Sequence, residues 1–272
     1  MKQKKKSRFL LEIFGLLLAI LWLSPFYLML VNAFKTKREI FTDVLGMPDE
    51  FTADNFVEAF DHLDFISSLF NSLLISVLGV GVIILFSSMA GYALARNKSK
   101  LSGIIFFLFV GAMLIPFQSV MIPLVSIFGQ AEMLNRVGLI FMYLGFGSSL
   151  SIFLYHGAMT GISISLDEAA YIDGASKFQV FWHIIFPLLK PISVTVGILN
   201  VIWIWNDFLL PSLVLKEESA TIPLKMFFFF GQFTKQWHLA LAGLTIAIIP
   251  VIIAYFFAQK QIIKGVSDGA VK

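Results

Sequence analysis

The chain has 272 residues, of which 58% are hydrophobic and only 14% charged. A soluble domain of this length carries roughly a quarter charged residues, so this one cannot clothe itself in a polar surface and reads as a polytopic membrane protein. With no cysteine, disulfides, thiol nucleophiles and cysteine-based zinc sites are excluded, and a net charge of +3 reflects membrane orientation rather than nucleic-acid binding.

The basic opening MKQKKKSRF leads into an apolar run from Ile13 to Ala33. A cleaved signal peptide is the competing reading. Its apolar region would be about 7–15 residues with a small-residue cleavage site. This run is longer and offers no clean small-x-small site near a suitable end, so it reads as an uncleaved first span over 9–33, with Pro25 as a candidate kink. A membrane helix needs roughly 20 predominantly apolar residues. Further windows of that kind lie at 70–95, 101–128 (broken by Pro116 and Pro123), 137–156, 192–213 and 239–257. The expectation is an all-α bundle of six transmembrane helices forming a single membrane domain over 1–272.

Charge sets the orientation, because short cytoplasmic loops collect Lys and Arg. Basic residues cluster at Lys2–Arg8, at Arg96, Lys98 and Lys100 after span two, and at Lys260, Lys264 and Lys272 in the tail. With six spans all three clusters fall on one side, which places both termini in the cytoplasm. The segment Lys35–Ser68 then faces out. It carries eight acidic residues against three basic ones, which supports the same answer. The four histidines, His62, His156, His183 and His238, are scattered without an i, i+4 pair, so no metal site is expected.

Between spans four and five lies a polar island, 157–190, whose core reads SLDEAAYIDGASKFQVFWHIIFPLLKPI from Ser165 to Ile192. Ser165 and Glu168 have capping-box spacing, and Asp167 and Glu168 sit where a helix dipole favours negative charge. A short helix is expected over Leu166–Ile172, with Ala169 and Ala170 open to close approach. Gly174 supplies backbone angles closed to other residues. A second helix over Ser176–Phe186 should stop at Pro187, and Pro191 suits the first turn of the next span. On spacing alone this is equally an ordinary capped loop.

The stretch EAAYIDGASKFQVFWHIIFPLLKPI resembles the EAA loop of binding-protein-dependent ABC importer permeases: EAA, three residues, Gly, about nine residues, then I-x-L-P. Glu168, Ala169, Ala170 and Gly174 match the first half, and Ile185 and Pro187 the second, with Phe186 where Leu is usual. NSLLISVLGVGVIILFSSMAGYALAR, MLIPFQSVMIPL, WNDFLLPSL and the closing GAVK resemble carbohydrate permeases of the maltose-transporter type, specifically the shorter, six-span partner of the pair. The resemblance implies that the island is the coupling helix that docks on a cytoplasmic ATPase, with Glu168, Ala169, Ala170, Asp173, Gly174 and Pro187 as coupling residues. It implies a homologous second permease, two ATP-binding subunits or domains that hold ATP and Mg, and an extracytoplasmic sugar-binding protein as partners. No cofactor is expected in this chain, since it has no G-x-x-x-x-G-K-[ST] phosphate loop and no recognisable catalytic constellation; it is not expected to be an enzyme.

Two places could meet substrate or partner. In span five Asn200, Trp203 and Asp207 fall at i, i+3, i+7 on one helical face, with Asn206 beside them. An aromatic ring beside carboxylate and amide suits a sugar, whereas interhelical packing and interface anchoring are the plainer roles. In span two Asn71, Ser72, Ser76, Ser87, Ser88 and Tyr92, and in span three Gln118 and Ser119, read as packing residues; the prolines of span three suggest a bent, pore-lining helix. After span five, Met226, Phe227, Phe228, Phe229 and Phe230 form an apolar run too short to span. It is either an interfacial element or a contact for the binding protein, for which the acidic Lys35–Ser68 is the second candidate. Cargo stays open to an amino acid or polyamine. A channel or membrane anchor, the rival from another class, predicts no ATPase partner.

Overall fold

In hydrocarbon every backbone N–H and C=O must find its partner within the chain, so long apolar segments have little choice but to coil. The computed structural model describes the backbone of residues 2–228 and 236–270, and among these it contains helices and no strand. The chain divides into two compact units, 1–65 with 225–253, and 66–224 with 254–272.

The first unit begins with α1 (Lys2–Ala33). Its apolar side chains from Leu11 onward are mostly exposed, as a lipid-facing helix requires. Pro25 sits inside it. The segment after α1 is an organised lobe with α2 (Lys37–Thr42) and α3 (Asp54–His62). Thr36 and Glu39 form a capping box at the start of α2. Lys35 is fully buried and its Nζ donates to the Asp43 carbonyl at 2.6 Å. The Asn55 amide donates to the carbonyls of Ala33 and Lys35, and Phe34 packs on Phe51 and Phe56.

The second unit is built on α4 (Phe65–Arg96) and α7 (Arg136–Met159). Between them come α5 (Lys100–Ala112) and α6 (Phe117–Gln130), bent by 104° at the break before Pro116 and Phe117. Of the two breaks expected in 101–128, the one at Pro116 forms and leaves two helices, whereas Pro123 lies inside α6. Pro116, which has no N–H to continue a ladder, stands at the N-cap of the second. Helix α7 is the hub: α5, α11 (Lys190–Asn206) and α12 (Leu209–Val214) all pack on it. Its core includes Leu139, Met142, Tyr143 and Tyr155, joined by Ile75, Val80 and Ile83 of α4 and by Val196 and Ile204 of α11. Gly91 lets α4 and α7 approach closely, since a Cβ there would fall 2.6 Å from Tyr155 Cβ. His156 stacks on Phe106 of α5 at 4.0 Å.

Two more differences from the sequence-based spans concern helix ends. The expected span 192–213 is α11 as far as Asn206, an extended Asp207, and then α12. The chain continues through α13 (Ile222–Phe228), and the last span is the front of a longer helix, α14 (Trp237–Ala270). Among the described residues, four helices are long and apolar enough to cross a membrane alone, and up to six crossings result if each of the two bent pairs is one span.

Candidate functional site

The polar island folds into an elbow within the second unit. Helix α8 (Ser165–Ile172) comes first. The expected capping box at Ser165 does not form. Turns already run through Ala158–Gly161 and Ser163–Leu166, so the N-cap is Ile164 in a helical conformation without a side-chain bond. Ser165 lies inside the helix and pairs with Ser163 through their hydroxyls at 2.8 Å. The capping box sits eleven residues later, where the Ser176 hydroxyl accepts from Gln179 N–H at 3.3 Å and the Gln179 amide oxygen accepts from Ser176 N–H at 2.8 Å.

Between these helices Gly174 adopts φ +84°, the left-handed conformation expected of it. Gly174 N–H donates to Tyr171 C=O and Ala175 N–H to Ala170 C=O, the paired bonds of a Schellman closure. The following helix, α9 (Lys177–Val180), opens into a π turn over Phe181–Ile185 and continues through Pro187 as α10 (Phe186–Leu188). Pro187 does not end the helix as expected. A prolyl ring clashes with the carbonyl four residues back in an α ladder, and the widened turn lies where that clash would fall. The chain then bends by 74° into α11, with Pro191 in its first turn.

The coupling candidates divide between two sides of α8. Glu168, Ala169, Ile172 and Asp173 are exposed, Ile172 at 86%. Ala170 is buried against the core that includes Val180 and Phe181, so only one alanine of the pair is open to a visitor. Asp167, expected only to favour the helix dipole, is 3% exposed and turned inward. Its carboxylate accepts from Arg96 at 2.8 Å and from the Tyr92 hydroxyl at 2.7 Å. The same guanidinium donates to the carbonyls of Ile162 at 3.0 Å and Ser163 at 3.4 Å. Charge-assisted bonds of this kind are short and about twice as strong as neutral ones. Arg96 reads in the sequence only as a positive loop charge and Tyr92 only as a packing residue. Nothing in local spacing joins them to Asp167, 71 and 75 positions away.

The span-five candidates share a face, and that face meets α7. The Asn200 amide donates to Ser151 Oγ at 3.2 Å. The Trp203 ring meets Tyr143 edge-on at 5.3 Å, and the Asp207 carboxylate accepts from Tyr143 hydroxyl at 3.0 Å and from Leu209 N–H at 3.0 Å. Asp207 thereby ends α11 and starts α12. Asn206 stands apart, exposed, and donates to Ile202 C=O. In the apolar run Met226 is buried and Phe227 exposed; Phe229 and Phe230 lie outside the described residues, as does the side chain of Phe228.

A family model described as "binding-protein-dependent transport system inner membrane component" matches residues 83–268. Along its whole length the chain is similar to the "probable starch degradation products transport system permease protein AmyC" of Thermoanaerobacterium thermosulfurigenes, at 54% identity over 273 residues, covering 100% of both. It is also similar to the "multiple sugar-binding transport system permease protein MsmG" of Streptococcus mutans, at 36% identity with 100% of both covered. Among solved structures, a chain of a bacterial ABC transporter involved in the import of alginate superposes with a TM-score of 0.77 at 23% identity, covering 96% of this chain and 98% of that one.

Proposed function

Because this chain belongs to the binding-protein-dependent transport system inner membrane components, we propose that it is the permease subunit of an ATP-driven importer of oligosaccharides. In this reading residues 1–272 act as one permease domain with both termini in the cytoplasm, and a homologous second permease completes the translocation path. An extracytoplasmic sugar-binding protein delivers cargo. Two separate ATP-binding subunits hold ATP and magnesium and perform the hydrolysis, for which this chain carries no phosphate loop. The names of its relatives favour sugars: starch degradation products, multiple sugars, and melibiose, raffinose and stachyose.

The observation that carries the reading is the two-sided α8. Its outer side offers the small Ala169 and the apolar Ile172, able to seat in a cleft, with the Glu168 carboxylate beside them. Its inner side is clamped through Asp167. Rigidity on one side and accessibility on the other are what a transmitted movement needs, because a soft element would absorb the displacement. Glu168, Ala169, Asp173 and Gly174 are assigned to this contact. Pro187 and the buried Ala170 shape the elbow behind it. Trp203, Asn200 and Asp207 hold α11 to α7 and α12 to α11, and a sugar would meet at most the open edge of Trp203 and Asn206. Met226 and Phe227, with the lobe after α1, are assigned to the side where the binding protein docks.

Purification and uptake test the reading together. The chain is co-expressed with an ATP-binding subunit and the second permease, then reconstituted with the binding protein. Expected results are co-purification of the ATP-binding subunit, its loss on Glu168→Lys, and ATP-dependent uptake of labelled malto-oligosaccharide. An assembly lacking an ATP-binding subunit returns the chain to the channel or anchor class. ATP-dependent uptake of an amino acid or polyamine in place of sugar keeps the machine and changes the cargo.

A further inference from the structure

A displacement arriving at α8 has two routes into the membrane helices. One follows the chain through Gly174, α9, α10 and α11. It is interrupted by a left-handed residue, a π turn, Pro187 and a 74° bend, each a break in the regular ladder that stiffens a helix. The other crosses space. Asp167 is gripped by Arg96 and Tyr92 of the last turns of α4, and Arg96 also ties down the carbonyls leading into α8. Tyr92 packs tilted against Phe181 at 5.6 Å, and its hydroxyl lies 3.4 Å from that of Tyr171. Next to Tyr92 in the chain, Gly91 seats α4 against Tyr155 of α7, whose hydroxyl donates to Ser193 of α11 at 2.8 Å.

We propose that Arg96 and Tyr92 are positioning residues for transport: through Asp167 they make α8 and the final turns of α4 one rigid piece, so that movement enters the bundle through α4 and spreads to α7 and α11 by side-chain contact. The compliant elbow then serves as a hinge that lets α11 follow. This rests on the reading of α8 as the ATPase contact.

The test uses the complete transporter in proteoliposomes. Asp167→Asn keeps the shape and removes the charge that Arg96 faces. Sugar taken up per ATP hydrolysed is expected to fall by roughly tenfold or more, within the span of ordinary coupling energies, with the ATP-binding subunit still bound. The exchange Arg96→Asp with Asp167→Arg recovers part of that loss. An unchanged ratio in Asp167→Asn overturns the proposal. Failure of the unsubstituted chain to hold the ATP-binding subunit instead overturns the docking reading beneath it. Should Asp167→Asn not reach the membrane, the cysteine-free chain allows a second test. Tyr92→Cys with Tyr171→Cys is bridged by a bifunctional thiol reagent. In one rigid piece the bridge stands in for the lost grip of Tyr92, so uptake is at or above that of the unbridged pair; abolished uptake shows that α8 moves against α4 and the proposal is wrong.

Discussion

Two connections between membrane helices each bury a charged side chain, and they treat it differently. In the lobe after α1, Lys35 is fully buried and donates to a backbone carbonyl eight residues away; the Asn55 amide ties the same lobe to the carbonyls of Ala33 and Lys35, 22 and 20 positions back. In the elbow, Asp167 is equally buried but paired with Arg96, 71 positions back and on another helix. These bonds tie the lobe to itself. Those of Asp167 tie the elbow to a different helix, which is what the proposed coupling role requires. A connection built for its own stability can rely on local carbonyls, whereas one that transmits force needs a charge-assisted grip on a distant element, because only a stiff contact carries displacement.

Perturbing both connections sharpens the contrast. The largest effect is expected from Gly174→Pro. Proline cannot adopt φ +84° and deletes the N–H that Gly174 gives to Tyr171. Uptake should fall below about a hundredth of normal, since strain of this kind exceeds about 3 kcal/mol, while immunoblots show the protein still in the membrane. Normal coupled uptake in this variant would break the elbow assignment.

Next is Gly91→Ala. Its methyl would meet Tyr155 Cβ at 2.6 Å, and overpacking of this kind costs about 1–3 kcal/mol. The melting temperature in detergent should drop by several degrees, and uptake should drop with it. In the lobe, Lys35→Met removes the donor to Asp43 C=O, a change worth about 1–3 kcal/mol for a buried group left without its partner. Amide exchange across 34–63 should quicken while sugar taken up per ATP stays constant. A fall in that ratio would erase the distinction between the two connections. Ser176→Ala deletes the cap of α9, worth about 1 kcal/mol, and should lower uptake only a few-fold.

The smallest effect concerns pH. The N–H groups of Gly46 and Leu45 hold the Asp43 carboxyl below its ordinary 3.8. A depressed carboxyl contributes stability above its unfolded pKa and loses it as pH falls through the lower folded value. Exchange of the Gly46 amide should therefore quicken only below about pH 4, with the elbow amides indifferent to that change.

The sequence makes some of this plain. Long apolar windows locate α1, α4, α7 and α14 because burial in lipid leaves a one-dimensional trace. The left-handed Gly174 is equally legible, since few residues other than glycine serve at such a corner. The capping box is misplaced from Ser176 to Ser165 because both serines have the right spacing, and only the turns before α8 decide that Ser165 is already helical. Pro116 and Pro123 read alike as breaks, yet only the first coincides with the 104° bend and the second lies inside α6, since proline marks where a helix is disturbed and not by how much. The grip of Arg96 on Asp167 leaves no local trace at all. It exists only once α4 and α8 meet, and a single sequence read for periodicity cannot bring positions 96 and 167 together.

Ile172, with 86% of its surface uncovered at the tip of α8, and Phe178, with 64%, set a condition on biogenesis. With the elbow outside the bilayer, as proposed above, such residues are greasy bait for chaperones and proteases. A copy synthesised without its companions is expected to be short-lived, so the cell's supply of the finished machine is governed by its scarcest subunit.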